Sequence, residues 1–432
     1  MNKARVSLVF AHRPAEEKTW PFLGYDYTKR IDELTQNLRT YCPGVEFVPA
    51  VLHDGLEAED LIKQAKDIDG YVVYIIGLWT GAPDVITHSG YPVVLVDDLY
   101  GGSGELLIAL SQARKDKLPV VGVASSEFRD VVEATRLFET IRAMKEAKIL
   151  DVTNMDVTYY SSKIKELLGT QVIRMGSDEL NAYYEKIDEE EARKWADKWI
   201  NEALKLVEPS REEIVKSAKM YLSLKKAMED KGADAVTVDC LALFYSDKIP
   251  AYPCLAFFQL NNEGSTGVCE SDLDSTVTQL LMRYLTGRPG YVSDPVIDTA
   301  TNQIIYAHCV ATNRVFGPED ISNPYIIRSH SEDRKGVSVQ SLMPLGETTT
   351  TVKLNVLEKV MSIHQGKTVA NVEEDRACRT KLAAEANVEK ILYNWVWGGH
   401  WGWHRVTFYG DWKKQLMSLA ALLGIEAVQE DH

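Results

Sequence analysis

The chain has 432 residues, 45% of them hydrophobic and 26% charged. That balance excludes a disordered, collagenous or coiled-coil protein, and at about 100–200 residues per domain it predicts two to four domains. Forty-eight basic against 63 acidic residues give a net charge of −15 with no basic stripe, which argues against a nucleic-acid partner.

The N-terminal apolar run reads as a first strand rather than a signal peptide. Residues 6–10 and 45–51 are strand-like, and 70–76 (GYVVYII), 93–96 and 120–123 read as parallel strands buried on both faces. Amphipathic stretches at 27–38, 57–65 and 106–115 lie between them. The alternation predicts a doubly wound α/β domain, Rossmann- or flavodoxin-like, over 1–150. The turn 97–105 (DDLYGGSGE) follows a strand and opens a helix. It lacks the spacing and lysine of a P-loop, and leaves three readings open: a phosphate cradle, a turn facing a sugar cleft, or a turn without a ligand. A second α/β domain is expected over 151–290. It has strands at 149–152 and 172–175 and a charged helix at 188–207. A further helix is opened by the capping box Ser210/Glu213 and ended by Gly232. Residues 235–238 and 255–260 resume as strands. From 291 to 432 the pattern is β-rich and antiparallel, with runs at 291–297, 303–312, 336–345 and 348–354, closed by a helix at 413–423 and a strand at 426–429. The longest apolar runs, 71–76 and 240–245, fall far short of the ~20 residues that span a bilayer, so no membrane partner is expected.

The six cysteines (42, 240, 254, 269, 309 and 378) are scattered singly without a CxxC pair. This argues against a zinc knuckle or disulfide framework, and for buried free thiols in a reducing, cytoplasmic compartment. Residues 253–310 concentrate the candidate chemistry. Cys269-Glu270 stands at the start of an apolar-periodic helix, where the dipole favours a carboxylate; Glu270 and Asp272 are either capping groups or working ones. Asp294 follows a strand-like run and is restricted by Pro295. His308 lies in the apolar strand IIYAHCV, as a core residue or a ligand. Two carboxylates and an imidazole together suit a divalent cation such as Mn²⁺. The stretch 395–412 (WVWGGHWGWHRVTFYGDW) holds five of the nine tryptophans with His400 and His404. Gly398, Gly399 and Gly402 let backbone pass close to a ligand, and rings such as Trp403 stack on sugar C–H faces or pack a core. His404, just before a strand-like run, is the better-placed ligand, with His400 behind it.

Together, CESD around Glu270, SDP at Asp294 and HRVTFYGD at His404 resemble the L-fucose/L-arabinose isomerase superfamily, as do the 24-residue step from Glu270 to Asp294 and the domain order. The resemblance is strongest over 235–310 and 400–428, and the chain is shorter than the better-known L-fucose isomerases. It implies that Glu270 and Asp294 bind metal and act as acid and base, and that His404 is the C-terminal histidine ligand. His308 sits where the arabinose branch has a further ligand. Arg13 and Trp79 resemble residues given to a neighbouring subunit's site, which implies a trimer-based homo-oligomer, a hexamer.

The expected activity is Mn²⁺-dependent aldose–ketose isomerisation of an open-chain sugar through a cis-enediol, without a nucleotide. Substrate contacts are expected from Arg13, Trp79, His308, Arg314, His400, Trp403 and Arg405. The sugar is a neutral deoxyhexose or pentose of the L-fucose or arabinose type. If Arg13, Arg314, Arg328 and Arg405 converge, it is instead a sulfonated 6-deoxyhexose such as sulfoquinovose, whose anion suits arginine forks. Two rivals stay open: a non-catalytic sugar-binding module, and a metal-dependent epimerase or C–C lyase.

Overall fold

The run Gly70–Ile75 is buried along its whole length, as a central parallel strand must be when helices cover both faces. It lies in a five-stranded parallel sheet ordered Val45–Leu52, Ala4–Ala11, Gly70–Ile75, Val93–Asp97, Val120–Val123. This 2-1-3-4-5 order is the flavodoxin-like doubly wound arrangement. The computed structural model describes all residues except Met1 and His400. Its first compact unit comprises Met1–Lys145 and Lys414–Glu426. The helix Lys413–Leu422 was expected to close the C-terminal domain. From Lys414 on it belongs to this first unit, where Lys414 Nζ lies 2.6 Å from Asp130 Oδ1. Periodicity reveals that a helix has an apolar face, but not which distant segment that face covers.

The second unit comprises Glu146–Lys413 and Ala427–His432. Its four-stranded parallel sheet is ordered Thr266–Cys269, Ala235–Val238, Lys148–Val152, Gln171–Met175. The helix Arg211–Lys231 starts where Ser210 accepts from the Glu213 amide and ends at left-handed Gly232, as the sequence predicts. Residues 255–260 are not a strand. They lie in the helix Cys254–Asn262, every residue of which is buried. A short run that is apolar on all sides carries no period to separate the two. The charged helix also stops early, at Glu202, because Lys205–Leu206 pair with the strand Tyr325–Arg328.

The β-rich part is an antiparallel sheet ordered Thr348–Asn355, Arg405–Tyr409, Tyr291–Asp298, Gln303–His308, Thr380–Glu385, Val360–Asn371, Glu426–Gln429. Thr348–Asn355 also pairs with Val360–Asn371, which closes six strands into a barrel. The fold is therefore mixed α/β, with parallel sheets flanked by helices and an antiparallel β-rich C-terminal part. The helix Leu273–Thr286 packs on both the parallel strand Thr266–Cys269 and the barrel strand Thr348–Asn355. Among the described residues no helix is long and apolar enough to cross a membrane.

Candidate active site

Ligands of open α/β sheets gather beyond the carboxyl ends of the strands. At that end of Thr266–Cys269 the chain makes two consecutive left-handed steps, Glu270 at φ 67° and Ser271 at φ 52°. Such residues cost on the order of 1–3 kcal/mol each and persist only when their surroundings hold them. Here the Ser271 amide donates to Val238 O at 3.0 Å and its hydroxyl to Asp151 Oδ1 at 2.6 Å, while Trp401 Nε1 donates to Glu270 O at 3.0 Å. Glu270 thus precedes the helix. The cap is Asp272, whose Oδ1 accepts from the Ser275 amide at 2.9 Å.

Barrel register supplies the other groups. Asp294 pairs with Ala307, beside His308, and Ser293 pairs with Arg405, beside His404. His404 Nε2 lies 3.0 Å from Asp294 Oδ1 and 3.7 Å from Glu270 Oε2, and His308 Nε2 lies 3.8 Å from Glu270 Oε1. Three of these buried atoms, His308 Nε2, His404 Nε2 and Asp294 Oδ1, have no hydrogen-bond partner. Buried polar atoms are normally paired, so orphans brought together beside a carboxylate are a set that could hold a cation. Bonds of about 2.1 Å to a small octahedral cation set adjacent ligand atoms about 3.0 Å apart, which the His404–Asp294 spacing matches.

The imidazoles are held from behind. His404 Nδ1 lies 2.9 Å from Asp272 Oδ2, which also accepts from Lys353 Nζ at 2.8 Å. With its proton on Nδ1, His404 presents the Nε2 lone pair, the carboxylate–histidine arrangement of many metal sites. His308 Nδ1 faces Cys309 Sγ at 3.4 Å. Trp401 stacks on His404 with ring centroids 5.2 Å apart, and Trp403 does so at 5.8 Å.

Charges follow from this burial. Desolvation pushes Glu270 up to about 7, against the pull of His308 and His404. Burial would also raise Asp272, but Lys353 and His404 outweigh it and hold the carboxyl well below its usual range. His308 and His404 do the same for Asp294. Burial opposes protonation of both imidazoles, yet Cys309 and Asp294 raise His308, and the hydrogen bond to Asp272 with the nearby Asp294 charge raises His404. One carboxylate that titrates near neutrality beside one that stays ionised is the division that acid–base chemistry uses.

No protein-family model matches the chain. Its sequence is similar to sulfoquinovose isomerases. It is 24% identical to those of Priestia aryabhattai and Priestia megaterium over 315 residues, 67% of this chain and 66% of each relative. It is 25% identical to that of a Clostridium species over 223 residues, 49% of this chain and 48% of that one. The chain thus spans just under two thirds of the length of the Priestia relatives. Among solved structures, the transcription regulator CcpA of Lactococcus lactis aligns at 14% identity over 66% of this chain and 92% of that one. Its TM-score of 0.17 is too low to bear on the fold.

Each of the remaining candidates has surroundings of its own. Arg405 is fully buried, 2.6 Å from Glu430 Oε1 and 3.7 Å over the Trp395 ring, and donates to Val396 O and Gly402 O. It therefore braces the 395–404 loop. Arg328 grips Glu208, and Arg314 donates to Pro318 O while lining a separate cavity of about 730 Å³. These three arginines do not meet. Arg13 and Trp79 belong to the first unit, where Arg13 pairs with Glu17 at 2.9 Å. Trp79 is 60% exposed, and its left-handed backbone is held by Glu105, which accepts from the amides of 79, 80 and 81. Trp403 is partly exposed, and His400 lies outside the described residues. Gly399 is close to protein rather than to a ligand, since a Cβ there would lie 2.1 Å from Asp274 Oδ2. In the 97–105 turn a Cβ on Gly102 would lie 2.1 Å from Ile75 O, so this glycine lets helix and strand pack closely. Lys353 and Trp401 escape the sequence reading. The signal for Lys353 was an inward lysine in an alternating strand, a residue almost never buried unpaired.

Proposed function

We propose that Glu270, Asp294, His308 and His404 form the active site of a metal-dependent aldose–ketose isomerase. The observation that carries this reading is the set of orphaned buried atoms on His308, His404 and Asp294 beside the Glu270 carboxylate. These residues would hold a divalent cation such as Mn²⁺, which when bound polarises the sugar carbonyl and makes the adjacent C–H more acidic. Glu270, titrating near neutrality, is matched to take the proton from C2 of the open-chain aldose and return it at C1 of the cis-enediol, giving the ketose. Asp294, kept ionised in the resting site by His308 and His404, is placed to carry the hydroxyl proton from O2 to O1 that the same conversion requires. Asp272 fixes the His404 tautomer, and the exposed part of Trp403 offers an apolar face to the sugar.

The sulfoquinovose isomerases among the relatives favour a sulfonated 6-deoxyhexose as substrate. The engagement of Arg314, Arg328 and Arg405 with partners of their own favours, as the second reading, a neutral deoxyhexose or pentose. The trimer-based oligomer that would lend Arg13 and Trp79 to a neighbouring site is part of the same proposal. The test is a panel of neutral and sulfonated aldoses in D₂O, given to EDTA-treated protein with and without Mn²⁺ and followed by NMR. Ketose formation that needs the metal and carries solvent deuterium at C1 or C2 is expected. Full turnover without metal defeats the metal-dependent reading, and an epimer or shorter fragments as products defeats isomerisation.

A further inference from the structure

Beside the carboxylate–imidazole cluster lies a second set of ligating atoms that the proposed reaction does not use. Cys254 opens the helix Cys254–Asn262, Cys269 ends the strand Thr266–Cys269, Cys309 follows the strand Gln303–His308, and His330 follows Tyr325–Arg328. Far apart in sequence, these four are folded together. Cys254 Sγ and Cys309 Sγ are 3.5 Å apart. The ligand atoms of Cys254, Cys309 and His330 all lie within 4.8 Å of one another, and so do those of Cys269, His308 and Cys309. Cys309 is common to both groups, so Cys269 joins the cluster through Cys309. All four residues are buried, and none of the cysteines is in a disulfide. The His330 ring is fixed by stacking on Tyr252 at 4.3 Å, and its Nδ1 has no hydrogen-bond partner.

We propose that Cys254, Cys269, Cys309 and His330 form a structural site for a thiophilic cation, Zn²⁺. Three sulfurs and one imidazole nitrogen are a recurrent tetrahedral donor set for that ion, and Zn–S bonds of about 2.3 Å set neighbouring sulfurs about 3.8 Å apart. The observed 3.5 Å between Cys254 and Cys309 needs only a small adjustment, and Cys269, which groups with Cys309 but not with Cys254 and His330, turns inward to complete the set. Each cysteine that ligates gives up its S–H proton to solvent as its Zn–S bond forms, and no electrons change hands. Donor softness separates this site from its neighbour: thiolates select Zn²⁺, whereas carboxylate and imidazole accept harder cations. The two sites share no ligand, so the inference does not depend on the isomerase reading.

The test uses the full-length protein, stripped with a chelator, reloaded with Zn²⁺ in the presence of excess Mn²⁺, and gel-filtered. One retained Zn²⁺ per chain is expected, with a sulfur shell at about 2.3 Å in its X-ray absorption spectrum. Co²⁺ in its place should give thiolate charge-transfer bands and intense tetrahedral bands in the visible. Cys254→Ser and His330→Gln should lose these bands, and Glu270→Gln should keep them. A zinc shell of nitrogen and oxygen alone overturns the proposal, as do thiolate bands that survive Cys254→Ser combined with Cys309→Ser. The wild-type absorption spectrum decides the matter even if a cysteine variant fails to fold.

Discussion

His404 Nδ1 lies 2.9 Å from Asp272 Oδ2, so the residue that caps the helix Leu273–Thr286 also orients an imidazole of the barrel. Lys353 shares that oxygen at 2.8 Å with its ammonium fully out of water. Asp272→Asn keeps the cap, since Asn is as good an N-cap as Asp, but removes the charge. Metal affinity should fall about 10–100-fold through the misoriented His404. Stability should fall by about 3–5 kcal/mol because Lys353 is left unpaired. Adding Lys353→Met should restore most of the stability in urea unfolding but not the affinity in calorimetry. Recovery of both would mean that Asp272 acts only through the fold.

Glu270→Gln and Asp294→Asn should each lower turnover by about 10²–10⁴, the usual range for a positioned acid or base. Their melting temperatures should stay within a few degrees of the parent, because neither change opens a cavity. The check is ketose formation by NMR alongside a thermal melt. Activity near the parent level in either variant would remove that carboxylate from the chemistry.

Metal binding should release protons. Glu270 is pushed up to about 7, and His308 and His404 are also raised, so without a cation these groups hold protons that a metal must displace. Mn²⁺ affinity should therefore rise with pH through the range around 7. Titration calorimetry in buffers of different ionisation enthalpy should give a positive proton release. Equal affinity on both sides of neutrality would contradict this.

Asp151 is buried, its Oδ2 has no hydrogen-bond partner, and desolvation pushes it up to about 7. A carboxyl raised above its unfolded value destabilises the fold as pH rises from that value to the folded one, at about 1.4 kcal/mol per unit. Between about pH 4 and 7 the loss is roughly 4 kcal/mol, less whatever relaxation recovers. Asp151→Asn keeps an acceptor for Ser271 and should flatten that slope, making the variant the more stable protein at pH 8 and not at pH 4. Urea unfolding at the two values is the measurement.

If Arg13 and Trp79 serve a neighbouring subunit, an Arg13→Ala protein and a Glu270→Gln protein, each inactive, should regain activity when dissociated and reassembled together. Some boundaries then pair an intact Arg13 with an intact Glu270. No rescue despite demonstrated subunit exchange would show that each chain completes its own site.

The candidate ligands were singled out by their company rather than by local pattern: alone, Glu270 reads equally as a capping group, and only CESD, SDP and HRVTFYGD taken together resemble one family's set. What brings them together is strand register, such as Ser293 against Arg405, and register is not written in a single strand. The same limit hid the thiols. Spacings that argued against a zinc knuckle became two overlapping groups once Cys309 met Cys254 and His330 on one side and Cys269 on the other. Arg405 shows the opposite case. An arginine next to a ligand histidine reads alike whether it faces a substrate or, as here, a buried Glu430. The helix Cys254–Asn262 was missed for the plainest reason, since all its residues are buried and no polar face marks the turn.

The first unit closes only with Lys414–Glu426, and the chain must run through residues 146–413 before supplying them. The five-stranded sheet is complete by Val123, yet the covering segment arrives near the end of synthesis. At about 5–20 residues per second, that leaves the nascent unit without its last helix for tens of seconds. A fragment cut after residue 145 reproduces that interval permanently, so the portion of the protein made first is the last to be finished.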